Sequence, residues 1–263
     1  MNTSALLVSS QDRIMTLTLN RPEKCNALDG DLVDQLRNAF YLASKDAQIS
    51  AILLNSSGKH FCAGADLTWM QQLAQGSFEM SRDDAQNLSS LLYTMYLFQK
   101  PIVTVVRGST RGGGLGLLAC SDIVLASSEA DFCFSEVKMG LAPAVISPYI
   151  ISIFGERLTR YYFLSAEKFN APEAQSLGLV QKVLPQEELE TAALNQLKAL
   201  LKNSPQGLAE VKRLLPQVSK QEISLELIEK MAEVFARLRV SEQVREGLNA
   251  FCEKRPPTWE RKT

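Results

Sequence analysis

The chain has 263 residues, of which 46% are hydrophobic and 22% are charged, as expected for one large or two small globular domains. Its 28 basic and 29 acidic residues leave a net charge of -1 and form no basic block, which argues against a nucleic-acid-binding surface. No apolar run reaches the roughly 18 residues of a membrane span, and no secretory leader is visible, so we expect a cytoplasmic protein.

The cysteine and histidine content restricts the possible chemistry. Five cysteines occur without a C-x-x-C pair, which is typical of reduced thiols. His60 is the only histidine and no group of ligating residues surrounds it, so we expect no metal site. A Ser-His-Asp triad would have to be centred on His60, for which a structural role is the favoured interpretation.

The first half of the chain alternates predicted strands and helices. Residues 14–19 show a period of two and are predicted to pair with a strand at 5–8. Asp29 is predicted to cap a helix whose apolar stripe runs from Leu32 to Ala43. The next predicted elements are a strand at 51–54, a helix at 67–74, a polar connection at 75–83, a helix from 84 or 85 to 98, a strand at 102–106, a loop at 107–113, a helix from about 115, and a strand at 123–126.

The second half is dominated by helix signals. The predicted elements are a strand at 132–134, helices at 147–154 and 157–164 separated by Gly155, a short helix between Pro172 and Gly178, a strand at 179–184, and helices at 187–202, 205–215, 221–240 and 241–252. We predict a core at residues 1–203 and a C-terminal helical region at 204–263. The apolar stripe of the 221–240 helix is suited to burial against a partner subunit.

Two glycine-containing segments, 60–66 and 107–113, each lie between a predicted strand and a predicted helix. Such segments bring backbone N–H groups close to a ligand, so each could form part of an anion-binding site or of an oxyanion hole. The structural alternative is that the glycines allow tight helix packing. The run from Gly114 to Ala119 fits G-x-G-x-x-A. Because a dinucleotide fingerprint directly follows a first strand, that interpretation is disfavoured.

Glu136 is a candidate acid–base group. It follows the aromatic strand at 132–134 and precedes the apolar stretch 141–146. Desolvation in such surroundings raises the pKa of a carboxyl group toward the range useful for a general base. The alternative is a surface glutamate paired with Lys138.

Several segments resemble the enoyl-CoA hydratase/isomerase (crotonase) superfamily, in the right order along nearly the whole chain. They are LNRPEKCNAL at 19–28, HFCAGADL at 60–67, RGGGLGLLACSDI at 111–123, FSEVKMGL at 134–141, GLV at 178–180 and FCEKRPP at 251–257. Residues 135–150 are especially similar to bacterial methylglutaconyl-CoA hydratases and their isohexenylglutaconyl-CoA relatives. The resemblance implies an α/β (α+β) spiral of ββα units with a C-terminal helical region that forms a homotrimer or a dimer of trimers.

The resemblance also implies an acyl-CoA thioester substrate, with no cofactor beyond the CoA that the substrate carries. The implied oxyanion hole consists of the backbone N–H groups of Ala65 and Gly113, and the implied general acid–base is Glu136. The residues that match the family's CoA-binding positions are Lys24, Cys25, Ala27, Ala63, Asp66 and Leu67 in the groove, with Phe251 and Lys254 near the C-terminus, sometimes from a neighbouring subunit.

One position departs from the family's pattern. Standard hydratases carry a second glutamate, as G-G-G-x-E, where this chain has Gly116. Methylglutaconyl-type sequences share this form, so the expected reaction is hydration of 3-methylglutaconyl-CoA in leucine breakdown, with the substrate's own carboxylate in the space at Gly116. Arg111 is expected either to bind that carboxylate or to cap nearby carbonyl groups. The alternatives are a Δ3-Δ2 enoyl-CoA isomerase and a non-catalytic acyl-CoA- or RNA-binding protein.

Overall fold

A computed structural model describes residues 4–219 and 221–260. Its strands are β1 Leu6–Gln11, β2 Ile14–Leu19, β3 Ala51–Ser56, β4 Ile102–Val106, β5 Ser109–Arg111, β6 Ile123–Ser127, β7 Asp131–Cys133, β8 Phe169–Asn170 and β9 Lys182–Leu184. Its α-helices are α1 Gly30–Lys45, α2 Leu67–Ala74, α3 Phe78–Tyr96, α4 Gly113–Ala119, α5 Ser147–Ser165, α6 Ala171–Ser176, α7 Leu189–Leu201, α8 Pro205–Val218, α9 Leu225–Arg239 and α10 Glu242–Cys252. Short 3₁₀ turns occupy Pro22–Lys24, Glu136–Met139 and Gln186–Glu188.

The larger sheet has the strand order β1-β2-β3-β4-β6-β9. β1 and β2 form an antiparallel hairpin, and every other neighbouring pair in this sheet is parallel. The hairpin turn consists of Asp12 and Arg13, both with positive φ, which matches the twist of the flanking strands. β1 is longer than predicted because its pairing with β2 continues to Gln11, although only Leu6 in this strand is buried.

The larger sheet is covered by a helix on each face. α1 packs its predicted stripe, including Leu32, Leu36 and Phe40, into the main core, and the Asp29 carboxylate accepts a hydrogen bond from the Leu32 N–H at 3.0 Å. On the opposite face, α7 buries Leu189, Ala193 and Leu197 against strand residues. Burial on both faces is what the continuous apolar strands of a parallel sheet require.

Several predicted boundaries besides the end of β1 are wrong. α3 begins at Phe78, where Ser77 accepts from the Met80 N–H, and not at 84 or 85, because its first turns are polar and exposed. The predicted loop 107–113 contains β5, which pairs with β7 in a second sheet of order β5-β7-β8. β9 begins at Lys182 rather than at 179, and the two-residue strand β8 carries no periodic signal that a sequence could show.

The C-terminal region is helical, as expected, and α5 contains the predicted interruption at Gly155, where φ is 69° and ψ is 166°. Lys212 of α8 donates to Asp122, which directly precedes β6 of the larger sheet, and this contact ties the helical region to the core. The division at residues 203 and 204 stays a prediction. Within the described ranges, none of the helices has the length and apolarity that crossing a membrane requires.

Candidate active site

The two glycine-containing segments lie side by side. Cys62 and Thr110 form an isolated parallel bridge, and the Arg111 N–H donates to the Cys62 carbonyl at 2.9 Å. Gly64 has a φ of +87°, and a Cβ there would lie 3.1 Å from the Arg111 carbonyl oxygen. Only glycine suits this close approach, so the sequence brings the two loops together through their backbones.

Each loop presents a backbone N–H group with no other role. The Leu28 N–H donates to the Gly64 carbonyl at 2.7 Å and the Asp66 N–H donates to the Leu28 carbonyl at 2.8 Å, which leaves the Ala65 N–H between them. Gly113 is the first residue of α4, so its N–H has no acceptor within the helix. In the described part of the chain, neither amide donates to a protein acceptor.

Glu136 lies beside this pair of amides. A Cβ on Gly112 would be 3.1 Å from Oε1 of Glu136, and Oε2 is buried without a hydrogen-bond partner among residues 4–219 and 221–260. Burial raises the pKa of Glu136, an effect that its own backbone N–H partly offsets. No ion pair joins Glu136 to Lys138 in the described ranges, and the Lys138 side chain is exposed. The predicted pKa increase is therefore confirmed in direction.

A pocket of about 450 Å³ connects these groups. Nine of the predicted site residues line it: Lys24, Cys25, Ala27, Ala63, Ala65, Asp66, Leu67, Gly113 and Glu136. A larger cavity, of about 830 Å³, lies between α1, α2 and α3 and is lined by several aspartates. That cavity includes none of the predicted site residues and neither glycine loop, so we assign the chemistry to the smaller pocket.

A charge cluster around the buried Asp66 carboxylate holds the wall of the pocket in place. Asp66 accepts from Nζ of Lys24 at 2.7 Å and from the Arg21 guanidinium at 2.9 Å, and it caps α2 through the Thr68 N–H. Burial alone would raise the pKa of Asp66, but the hydrogen bonds from Lys24, the Trp69 N–H and Arg21 outweigh it and lower the pKa to about 2. Asp66 is thus an ionised structural anchor directly beside the Ala65 amide.

Sequence reasoning missed two supporting residues in the 19–28 segment. Arg21 also pairs with Asp29 at 2.8 Å. Asn26 is fully buried, has a positive φ, and donates to the carbonyls of Ser57 and His60, both at 2.8 Å. The available signal was the polar run NRPEKCN next to a strand, which marks a loop whose polar groups need partners. These contacts join the first loop to the one that carries Ala65.

Of the two roles expected for Arg111, the structure shows the capping of nearby carbonyl groups, and at Gly116 it contradicts the expected space for a carboxylate. Arg111 does not line the pocket; it donates to the carbonyls of Thr110 and Asp131, each at 2.9 Å, and pairs with the Asp131 carboxylate. At Gly116, a Cβ would lie only 2.6 Å from Cγ2 of Ile146 and 3.0 Å from Cδ1 of Leu92. The space expected there for a substrate carboxylate is filled by these side chains, so that expectation is wrong.

The remaining candidates lie outside this pocket. Phe251, near the end of α10, is 84% exposed, and Lys254 follows that helix with a φ of 55°. Their assignment to CoA binding stays a prediction. His60 has the structural role that was favoured: its Nδ1 accepts from the Ser109 N–H at 3.1 Å and so holds the two glycine loops together.

Comparison with known proteins places the chain among acyl-CoA enzymes. A model of the enoyl-CoA hydratase/isomerase family matches residues 9–262. The chain is 33% identical to the 2,3-dehydroadipyl-CoA hydratase of Escherichia coli (strain K12), over 97% of this chain and 98% of that protein. It superposes on an enoyl-CoA hydratase from Shewanella pealeana with a TM-score of 0.94 at 41% identity, covering 97% and 96% of the two chains. An enoyl-CoA hydratase/isomerase from Marinobacter aquaeolei gives a TM-score of 0.92 at 29% identity, covering 98% and 100%. The expected crotonase-like α/β fold with a C-terminal helical region is thereby confirmed.

Proposed function

The chain belongs to the enoyl-CoA hydratase/isomerase family, and we propose that it catalyses the reversible hydration of an α,β-unsaturated acyl-CoA. The observation that carries this proposal is the position of Glu136, which has a buried, unpartnered carboxylate oxygen in the same pocket as the Ala65 and Gly113 amides. The reaction needs no cofactor apart from the CoA carried by the substrate.

The proposed mechanism uses the two amides and one carboxylate. The thioester oxygen accepts hydrogen bonds from the N–H groups of Ala65 and Gly113. The Glu136 carboxylate takes a proton from water as the water oxygen bonds to C3, and the C2–C3 double-bond electrons move onto the thioester as an enolate. Glu136 then gives that proton to C2. Donors aimed at a developing oxyanion contribute about 3–4 kcal/mol each, which is enough to make the enolate accessible.

Replacing Glu136 with glutamine tests this mechanism. The amide keeps the shape of the side chain and cannot accept the proton, so kcat falls by about 10²- to 10⁴-fold while KM changes little. Glu156→Gln is the matched control, because Glu156 is an exposed glutamate outside the pocket that forms an ion pair with Arg160. Full turnover by the Glu136→Gln protein, with crotonyl-CoA as the probe, refutes the assignment.

Within this reaction class we propose 3-methylglutaconyl-CoA, an intermediate of leucine breakdown, as the substrate. The similarity of residues 135–150 to methylglutaconyl-type enzymes supports it, and the Escherichia coli relative is named for another enoyl-CoA with a distal carboxylate. Lys24 is the basic side chain that lines the pocket, and its ammonium already binds Asp66. A distal carboxylate therefore has to share Lys24 or lie toward solvent.

A panel of substrates tests the proposed substrate independently of the proposed reaction class. The values of kcat/KM for 3-methylglutaconyl-CoA, 2,3-dehydroadipyl-CoA and crotonyl-CoA are measured by mass spectrometry. We expect 3-methylglutaconyl-CoA to be preferred by at least about tenfold. A preference for crotonyl-CoA rejects the proposed substrate and leaves the hydratase activity standing.

The second candidate is a Δ3-Δ2 enoyl-CoA isomerase, and Gly116 favours it because a single carboxylate suffices to move a proton between C2 and C4. Incubation of a 3-enoyl-CoA in heavy-oxygen water distinguishes isomerase from hydratase activity. An isomerised 2-enoyl-CoA contains no heavy oxygen, whereas a hydrated product does. Tight binding of acyl-CoA with no turnover of any substrate would instead indicate the non-catalytic alternative.

We also propose that the protein is a cytoplasmic homotrimer or dimer of trimers. The support is the apolar surface of the C-terminal helices, where Leu225, Phe235 and Leu248 are 80%, 59% and 60% exposed. Free cysteines at all five positions fit a reducing compartment. Sedimentation equilibrium tests the assembly, and a monomer at micromolar concentration contradicts it.

A further inference from the structure

A serine hydroxyl lies next to Glu136 on the wall of the pocket. Ser135 directly precedes the 3₁₀ turn Glu136–Met139 and lines the same pocket of about 450 Å³ as Glu136 and Gly113. Its hydroxyl does not cap this turn and forms no hydrogen bond with residues 4–219 and 221–260. Because the side chain is half-buried and lines the pocket, the hydroxyl is available to a molecule bound there.

The backbone on both sides of Ser135 is held in place. Phe134 is fully buried in the main core, and the Cys133 carbonyl accepts from the Gly112 N–H at 3.2 Å. On the other side, the Ser135 carbonyl accepts from the Lys138 N–H at 3.1 Å. Ser135 is therefore a fixed part of the pocket wall.

The neighbourhood of Glu136 distinguishes Ser135 from the other polar side chains of the pocket. Those belong to the loop at 23–25 and to the start of α2, and they are Glu23, Lys24, Cys25, Asp66 and Thr68. Two of them, Lys24 and Asp66, already bind each other at 2.7 Å. Consecutive Cα atoms lie about 3.8 Å apart across a trans peptide. One water spans about 5.5 Å between two hydrogen-bond partners, so this spacing suits a water shared by Ser135 and Glu136.

From this arrangement we infer that Ser135 is a further catalytic residue, whose hydroxyl oxygen accepts a hydrogen bond from the attacking water. The inference rests on the proposed function. In the addition step, one water proton moves to the Glu136 carboxylate as the water oxygen bonds to C3. The second O–H bond of the water, which points at Ser135, stays intact and becomes the hydroxyl group of the product. Ser135 neither gains nor loses a proton.

The contribution of Ser135 is orientation. A water held by Glu136 alone rotates about a single hydrogen bond, whereas a second contact fixes the direction of the lone pair that attacks C3. The same site also supports a reaction without an attacking water, the exchange of the C2 protons of a saturated acyl-CoA with deuterated water. That exchange needs the Glu136 carboxylate and the Ala65 and Gly113 amides. Loss of the Ser135 hydroxyl therefore slows hydration and leaves the exchange intact.

Replacing Ser135 with alanine in the full-length protein tests this separation. Hydration is measured with crotonyl-CoA, and C2-proton exchange is measured with butyryl-CoA by mass spectrometry. We expect Ser135→Ala to lower kcat for hydration at least about tenfold, with KM and the exchange rate changed by less than about twofold. Glu136→Gln is the comparison and lowers both rates. An equal loss of both rates in Ser135→Ala, as a displaced Glu136 would produce, overturns the inference, and so does hydration at the wild-type rate.

The pair Ser135→Thr and Ser135→Val separates the hydroxyl from the shape of the side chain, and it decides the question if the alanine variant does not fold. Threonine keeps the hydroxyl, and valine has a methyl group of similar size in its place. We expect the threonine protein to hydrate crotonyl-CoA at least about tenfold faster than the valine protein, at equal rates of C2-proton exchange. Equal hydration by the two proteins overturns the inference.

The wild type distinguishes failure of the inference from failure of the proposed function. A wild-type protein that exchanges C2 protons and hydrates no enoyl-CoA refutes the proposed hydration, and the role of Ser135 with it. A wild-type protein that hydrates crotonyl-CoA, with variants at Ser135 that hydrate it equally well, refutes the role of Ser135 alone.

Discussion

Replacement of Asp66 by asparagine removes one negative charge from the wall of the pocket and keeps an acceptor oxygen at the Oδ1 position. The amide oxygen of asparagine can still accept from the Thr68 and Trp69 N–H groups, so the cap of α2 is kept. Arg21 retains its ion pair with Asp29 at 2.8 Å. The substitution therefore removes the negative charge and the acceptor Oδ2 that Lys24 and Arg21 share, and it places an amide NH2 group opposite those two donors.

The pKa of Asp66 gives the size of the effect. A decrease from 3.8 to about 2 corresponds to roughly 2 kcal/mol of folding free energy, because the folded state favours the ionised form; this is the net effect of burial, which raises the pKa, and of the bonds from Lys24, the Trp69 N–H and Arg21, which lower it. This contribution is complete above a pH of about 4, where Asp66 is ionised in the unfolded chain. It is lost as the pH falls toward 2, where the folded protein also takes up the proton.

Urea denaturation at pH 7, 5 and 3, at one protein concentration, measures the difference in the free energy of unfolding between the wild type and the Asp66→Asn protein. We expect the Asp66→Asn protein to be less stable than the wild type by at least about 2 kcal/mol at pH 7 and 5, and this difference in the free energy of unfolding to narrow at pH 3. Asp66→Ala is the control and loses about 1 kcal/mol more, since it also removes the cap. A difference that is absent at pH 7, or that does not narrow at pH 3, refutes the reasoning.

Three further predictions concern the same region. Burial raises the pKa of Glu136 above its ordinary value of 4.5, so the ionised carboxylate destabilises the folded state increasingly as the pH rises above that value. Glu136→Gln should therefore raise Tm at pH 8 and not at pH 4, and an equal increase in Tm at both pH values would contradict this. Gly112→Ala, at a φ of 44° and against Oε1 of Glu136, should lower kcat by at least about tenfold with an unchanged circular dichroism spectrum, and retained kcat would count against the proposed site. Burial raises the pKa of Cys62 to about 12, so a thiol reagent should label the exposed Cys252 before Cys62, as measured by peptide mass spectrometry. Equal rates of labelling at Cys62 and Cys252 would show that Cys62 is accessible.

Most features that depend on neighbours in the chain could be predicted from the sequence. The strand at 102–106 has the predicted bounds, and so do the helix at 67–74 and the strand at 14–19, because apolar periodicity and glycine punctuation are local signals. Asp29 caps its helix as expected from the residue type and its position before the apolar stripe. The resemblance to a family added the pairing of two glycine loops with Glu136, and these groups do line one pocket.

Only the tertiary structure decided what surrounds each of these residues. Whether Gly116 opened a space depended on Ile146 and Leu92, which are distant in sequence and reach it through the packing of α5 and α3. Arg111 could have faced a substrate, but the pairing of β5 with β7 places Asp131 next to it. Local sequence determines which conformation a segment adopts, whereas the volume and charge around a side chain come from segments that meet only on folding.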